Sequence, residues 1–323
     1  MDAIYTVCTY NHIGRALSLA ESIKNHCIGA KFIICLIDTI QTDLMPSGHE
    51  LIMAKDMNLS FLNEMCSKYS PLELNSALKP YFGNYIFKRY TEVDQVIFLD
   101  SDILLFDDLD PIYESLHSNS IVFSPHALSP VSSGTDFDDR VFLRSGIYNA
   151  GFFGLKRDRY SQAFLNWWMD KLRNECFFDS KRGMFAEQLW LNLVPLYFEK
   201  VHIIKHLGCN VAYWNLHERT LSEHDGRYYV NKTYPLIFFH FSGASISCIE
   251  ENTLSVHQKR YTFVNRPDVL PVFKQYTDSL IKHSFKKYNQ IYTVNSSLKT
   301  QSKIFKYIAE LYKKAIKKLF YIK

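Results

Sequence analysis

Short apolar runs and segments of helical period follow one another through the first 245 residues. Residues 4–9, around Ile4-Tyr-Thr-Val-Cys8, read as a first strand, and Leu17, Leu19, Ala20 and Ile23 mark the inner side of a helix over 13–25. Lys31-Phe-Ile-Ile-Cys-Leu-Ile37 is a second buried strand that ends at Asp38. This strand, helix, strand opening predicts a parallel sheet with helices on its faces. A helix from about Pro71 to Tyr90 carries Leu74, Leu78, Tyr81, Phe82, Tyr85 and Ile86 at helical spacing, with Lys79 off that stripe. It leads into the strand-like run Gln95-Val-Ile-Phe-Leu-Asp-Ser-Asp102. Further strands are expected at 121–123, 146–155, 201–204 and 236–239, and helices at 158–174 and 185–197. No repeat or low-complexity linker divides this part, which predicts one α/β domain over residues 1–250.

From about Val269 the pattern turns helical and basic, so residues 251–323 are expected to form a helical C-terminal extension. In its last segment Ile304, Ile308, Leu311, Ala315, Leu319 and Ile322 form one stripe, complemented by Lys306, Lys313, Lys314, Lys317 and Lys318. Such a helix suits an anionic membrane surface, each nearby Lys adding about 1 kcal/mol of attraction. The other reading is a terminal helix docked on its own domain with a solvated lysine face.

At 323 residues the chain can bury a substantial core. The 24 Phe and 21 Tyr make it rich in aromatics, which fill cores and also line sugar sites. A formal net charge of +4 is too small to argue for nucleic acid, and no such partner is expected. The seven cysteines have neither C-x-x-C pairing nor regular spacing, which suggests neither a zinc cage nor a disulfide framework and fits a reduced cytosolic compartment. The N-terminus lacks the basic and apolar regions of a signal peptide, and no apolar stretch reaches the roughly 18 residues that would suggest a bilayer span, so any membrane contact is expected to be peripheral, at the inner face.

Four segments carry candidate chemistry. Asp100 and Asp102 emerge together at a strand's C-terminal end, where open α/β sheets bind ligands; two hard oxygen ligands so spaced suit Mg²⁺ or Mn²⁺ with substrate phosphates. A solvated acidic turn is the plainer reading of Asp-x-Asp. Ser145-Gly-Ile-Tyr-Asn-Ala-Gly-Phe-Phe-Gly-Leu155 interrupts an apolar strand with Asn149 and Gly151, which fits either close approach of a ligand or a β-bulge. Glu187 and Gln188 open an apolar helix, as helix-entry residues or as a polar pair facing a sugar. His240 ends the strand Phe238-Phe-His240 and Gly243 begins a turn, so His240 is either structural or a third metal ligand.

In this order the segments resemble the GT-A glycosyltransferases, especially the retaining enzymes of glycosyltransferase family 8 and related bacterial proteins, over roughly residues 3–245. The resemblance implies a GT-A (Rossmann-like) fold with a mixed, mostly parallel sheet flanked by helices. It implies Asp100, Asp102 and His240 as ligands of Mn²⁺ or Mg²⁺, and Glu187 and Gln188 as the catalytic pair beside the donor sugar. The donor-binding set it implies comprises Thr9 and Asn11 after the first strand, Asp38, Lys79, Asp100, Ser101, Asn149, Ala150, Gly151 and Gly243. The segment Asn210-Val-Ala-Tyr-Trp-Asn-Leu-His-Glu-Arg219 is similar to one in a bacterial subgroup, and Asn210, Trp214 and Asn215 are carried as pocket residues. His126, after another strand end, is at least as well read as a loop residue. One departure stands out: where the family often has Lys-Pro-Trp contacting the diphosphate, this chain continues Ala244-Ser-Ile-Ser-Cys-Ile249, which leaves that contact unassigned.

The activity implied is transfer of a hexose from a UDP-sugar, with retention, to a glycan or lipid-linked acceptor in surface polysaccharide or lipopolysaccharide synthesis. Two alternatives stay open. One is a sugar-nucleotide nucleotidyltransferase, although Thr9-Tyr-Asn-His-Ile-Gly14 is a poor substitute for its glycine-rich triphosphate loop. The other is a non-catalytic carbohydrate-binding or membrane-adaptor protein.

Overall fold

A computed structural model describes residues 1–38, 46–132 and 137–290. The basic stripe at 304–322 lies outside the described residues. The strands are β1 Asp2–Cys8, β2 Lys31–Leu36, β3 Glu50–Met53, β4 Gln95–Leu99, β5 Ile103–Leu105, β6 Ile121–Pro125, β7 Tyr148–Lys156, β8 Phe178–Asp179, β9 Met184–Phe185, β10 Val201–Ile203, β11 Leu221–His224, β12 Arg227–Val230, β13 Tyr234–Pro235 and β14 Phe238–His240. The helices are α1 Ile13–His26, α2 Leu62–Lys68, α3 Pro71–Arg89, α4 Asp110–Ser118, α5 Asp139–Ser145, α6 Arg159–Asn174, α7 Val194–Tyr197, α8 Leu270–Lys282 and α9 Phe285–Asn289.

The main sheet has seven strands in the order β10-β6-β7-β4-β1-β2-β3. All its pairings are parallel except those of β7, which runs antiparallel to both β4 and β6. This is the expected mixed, mostly parallel sheet. The chain passes from β1 outward through β2 and β3, then returns to place β4 on the other side of β1. That reversal opens a crevice beyond the C-terminal ends of β1 and β4, the usual place for a ligand in an open α/β sheet.

Helix α3 forms because Ser70 and Glu73 make a capping box, Pro71 sits in the first turn, and Leu74, Ala77, Leu78, Phe82 and Ile86 recur at helical spacing. It packs against α6, which is capped by Asp158 and buries Phe164, Leu165, Trp168 and Leu172. Each such side chain stabilises the fold by about 1.5–3 kcal/mol relative to exposure. At the far end of α3, the Arg157 guanidinium donates to the carbonyls of Phe87, Tyr90 and Val93, ending the helix on a cation. A second apolar cluster joins Leu104, Val211, Phe239 and Phe241 to Val272, Phe273 and Tyr276 of α8, with the Phe241 and Tyr276 rings stacked at 4.1 Å. It buttresses the turn after His240.

The helix expected at 185–197 is not continuous. Met184 and Phe185 belong to β9, Ala186 has a positive φ of 44°, and Leu189–Leu193 is a 3-10 segment before the single turn α7. Pro195 supplies the reason: inside a longer helix it could not donate to the carbonyl four residues back. In β7 the pairing with β6 does shift register, between Phe123 and Pro125, but Gly151 answers to a different constraint described below.

Candidate active site

The crevice at the strand reversal holds a cavity of about 590 Å³. Thr9 and Asn11 reach it from the end of β1, Asp100, Ser101 and Asp102 from the end of β4, and Asn149 and Gly151 from β7. Lys79 enters from α3, Glu187 and Gln188 from the loop after β9, and His240 and Gly243 from β14 and its turn. The fold thus gathers these expected residues around one space.

The three expected metal ligands converge. Asp100 lies opposite Gly151, to whose carbonyl its N–H donates at 2.8 Å, continuing the β4–β7 ladder. Asp102 is followed directly by β5, which pairs with β14 so that Ile103 faces His240, and Phe241 N–H donates to the Asp102 carbonyl at 2.8 Å. One ligand atom from each of Asp100, Asp102 and His240 then falls within 4.8 Å of the others. Nε2 of His240 stands 3.1 Å from Asp102 Oδ1 and 3.9 Å from Asp100 Oδ2, while Nδ1 lies 3.3 Å from Asn149 Oδ1. A proton on Nδ1 shared with Asn149 leaves the Nε2 lone pair facing the acids, as an imidazole ligand requires. Two carboxylates and an imidazole are a donor set that fits a divalent cation.

Gly151 makes the convergence possible. A Cβ at this position would come within 2.4 Å of His240 Cε1, 2.8 Å of Asn149 Oδ1 and 2.9 Å of Asp100 Oδ2. The strand needs glycine here because the side chains of Asp100 and His240, and the Asn149 amide that meets the His240 ring, cross the space above it.

Lys79 is 3 % exposed and spends all its donors: Asp100 Oδ1 at 3.0 Å, Glu187 Oε1 at 2.7 Å and the Ala150 carbonyl at 3.1 Å. Burial works against its charge, but Asp100 and Glu187 outweigh it and hold its pKa above the usual lysine value. Burial pushes the Asp100 carboxyl up despite Lys79 and His240. For Asp102 burial acts in the same sense but is overcome by His240 and Arg15, so this carboxyl sits well below the usual range. Asp102 is therefore the more firmly ionised of the two acids.

Gln188 is held on both ends of its amide, Oε1 accepting from Asn149 Nδ2 and Ala150 N–H and Nε2 donating to the Ser145 carbonyl. Glu187 meets Lys79 through Oε1, and its other oxygen makes no hydrogen bond among the described residues. Five expected residues stand behind the wall instead of lining it. Asp38 accepts from Tyr10 N–H at 2.6 Å, and burial pushes its carboxyl up to about 6. Ala150 contributes through its backbone. Trp214 packs edge-on to His240 at 5.1 Å, and Asn215 closes its own loop by bonds to Ala212, Asn210 and His126. Asn210 is fully buried in the left-handed region, at φ 54°. His126 is also behind the wall: its Nε2 lies 3.4 Å from Asn149 Nδ2, and burial pushes the imidazole down to about 4.

The cavity also has walls that the sequence did not single out, among them His12, Arg15, Asn75, Phe178, Phe185 and His257. Arg15 stands on α1 outside the stripe of Leu17, Leu19, Ala20 and Ile23, and no motif marks it. His257 lies in irregular chain with no pattern to mark it.

No protein-family model matches the chain. Among curated proteins it is similar to the uncharacterized protein YfnF of Bacillus subtilis (strain 168), 27% identical over 291 residues, 87% of this chain and 93% of YfnF. It is also similar to the uncharacterized protein YfnD of the same organism, 25% identical over 255 residues, 77% of this chain and 80% of YfnD. Among solved structures it aligns with the galactosyltransferase LgtC, crystallised with donor and acceptor sugar analogues, at a TM-score of 0.51 and 14% identity over 87% of this chain and 96% of LgtC. The chain has the GT-A glycosyltransferase fold. Within that fold Asp100 and Asp102, after β4, and His240, at the end of β14, bring one ligand atom each to within 4.8 Å of one another in the crevice.

Proposed function

We propose that this chain is a metal-dependent glycosyltransferase that moves a hexose from a nucleotide diphosphate sugar, UDP by default, to a hydroxyl of a glycan or lipid-linked acceptor. The observation that carries this reading is the meeting of Asp100, Asp102 and His240 within 4.8 Å at the strand reversal of a GT-A fold. The fold neighbour LgtC holds donor and acceptor sugar analogues, which supports both substrates. The segment Thr9–Gly14 forms a tight 3-10 turn at Tyr10–His12 running into α1, not a glycine-rich phosphate loop, and this favours sugar transfer over nucleotidyl transfer.

In the proposed step the bond from the anomeric carbon to the diphosphate oxygen breaks, its electron pair leaving with the diphosphate. The acceptor oxygen bonds to the anomeric carbon, and its proton passes to the departing diphosphate. Mn²⁺ or Mg²⁺ held by Asp100, Asp102 and His240 would supply positive charge to that leaving group. Asn149 orients the His240 ring, and Lys79 fixes Asp100 and Glu187 relative to one another. Glu187 offers its remaining carboxylate oxygen to the positive charge that develops on the sugar ring, with retention as the family resemblance implies. Gln188 acts mainly by holding Asn149 and Ala150.

The acceptor is proposed to belong to bacterial surface polysaccharide or lipopolysaccharide synthesis, met at the inner face of the membrane through the basic segment at 299–323. No helix among the described residues is long and apolar enough to cross a membrane. The test of the activity is a screen of nucleotide sugars for Mn²⁺-dependent hydrolysis. One donor hydrolysed by the wild type and spared by Asp100→Ala with Asp102→Ala is expected; equal turnover by the variant contradicts the reading.

A further inference from the structure

The departing diphosphate needs positive charge from the protein, and the segment Ala244-Ser-Ile-Ser-Cys-Ile249 offers no lysine to provide it. Among the described residues that line the cavity, Lys79 and Arg15 are the only lysine and arginine. Lys79 is committed to Asp100, Glu187 and the Ala150 carbonyl, one partner for each of its three N–H bonds. Three histidines, His12, His240 and His257, share the wall without adding a fixed charge, and burial and then Arg15 push the His12 imidazole down to about 4. Arg15 is the fixed cation with capacity to spare.

We propose that Arg15 is the residue that binds the diphosphate of the sugar donor, in place of a lysine downstream of His240. The assignment rests on the sugar-transfer reading above. Arg15 projects from the first turn of α1, one helix away from the end of β1. Its side chain is 13% exposed, NH1 stands 3.4 Å from Asp102 Oδ2 and NH2 donates to the Ala244 carbonyl at 2.8 Å. Nε is buried with no partner among the described residues. The contact to Asp102 is long for a charged hydrogen bond, whose usual N to O distance is about 2.7–2.9 Å, so the fork is not saturated by its protein partners. A guanidinium whose contact to the neighbouring acid is long, set in the wall of the cavity beside that acid, is suited to phosphate oxygens in a way a single ammonium is not.

The position is held from the C-terminal side. Phe285 of α9 lies under the guanidinium, with its ring centroid 5.2 Å from the Arg15 Cζ. Gly14 lets α9 come this close, since a Cβ there would fall 2.6 Å from the Phe285 Cα. Arg15 therefore joins three parts of the site: the acid pair, the turn after His240 and the C-terminal helices.

The test is a calorimetric comparison of wild type and Arg15→Gln with Mn²⁺ present, using UDP, or whichever common nucleoside diphosphate binds the wild type best, and the matching free nucleoside. Arg15→Gln is expected to lose at least tenfold in affinity for the diphosphate while nucleoside affinity stays within twofold. Unchanged diphosphate affinity, or equal losses for diphosphate and nucleoside, overturns the assignment. If Arg15→Gln does not fold, Arg15→Lys carries the test, with a three- to tenfold loss confined to the diphosphate expected and no loss overturning it. A wild type that binds no nucleoside diphosphate sinks the sugar-transfer reading itself, a result distinct from a wild type that binds and a variant that binds equally well.

Discussion

Gly151 and His240 are fitted to each other: the Cβ that glycine lacks would stand 2.4 Å from the His240 ring. The same missing atom clears Asp100 and Asn149. Gly151→Ala must push aside two ligands and the amide that orients one of them. Metal affinity should fall roughly 10–100-fold, the range seen when groups around a metal site are disturbed. Overpacking should cost about 1–3 kcal/mol of stability. Mn²⁺ titration and thermal unfolding of the variant check both numbers.

Lys79 sits between Asp100 and Glu187, both largely removed from water. Lys79→Met leaves two carboxylates without their shared cation, and breaking a buried pair from one side costs about 3–5 kcal/mol. The raised lysine pKa means that its stabilising contribution is complete below the ordinary lysine value and is lost only as pH rises through the folded value. Between pH 6 and 9 the wild type should therefore show no change in stability from this group, and denaturant unfolding of Lys79→Met at pH 7.5 against wild type measures the deficit.

Asp38 titrates in the opposite sense to a salt-bridged acid. Burial raises its folded pKa from 3.8 to about 6, so the native state binds the proton more readily than the unfolded chain. Its contribution to stability is favourable at low pH and declines as pH rises from about 4 to about 6, after which it stays flat. Asp38→Asn keeps an acceptor for the Tyr10 N–H and removes the buried charge. It should raise stability at pH 7.5 by roughly 1–3 kcal/mol and flatten this part of the profile, as measured by urea unfolding at several pH values.

The basic segment at 299–323 is proposed to dock on anionic lipid, with Lys306, Lys313, Lys314, Lys317 and Lys318 as the charged face. Deleting it should abolish co-sedimentation with phosphatidylglycerol-rich vesicles and preserve transfer to a soluble acceptor. Equal vesicle binding with and without the segment would refute this.

The strands that carry the site were legible because each is a short, nearly continuous apolar run, and Asp100 and Asp102 stood out as polar residues at the end of one. What could not be read was distance. That His240 returns to Asp102 depends on β14 pairing with β5, two strands far apart in sequence, and no local pattern encodes that pairing. The apolar density of Leu189, Trp190, Leu191, Leu193 and Val194 suggested one long helix, and only the backbone constraints at Ala186 and Pro195 break it. Lys79 is off the apolar stripe of α3, yet it is buried because two carboxylates from other elements meet it there. Arg15 was hidden by the same logic in reverse: an arginine on an amphipathic helix looks solvated until the turn at Ala244 and Phe285 close over it. Asn215 and Trp214 were expected at the pocket and instead support it, Asn215 by holding a loop and Trp214 by packing on His240.

The central claim is that Asp100, Asp102 and His240 together hold one divalent cation at the end of β4. Calorimetric titration of Mn²⁺ into the wild type, Asp102→Ala and His240→Ala, each at a fixed concentration of UDP or the best-bound nucleoside diphosphate, tests it most directly. One site per chain in the wild type, weakened at least tenfold in both variants whose melting midpoints stay close to it, is the predicted result. Equal affinity and stoichiometry in all three proteins would contradict the account.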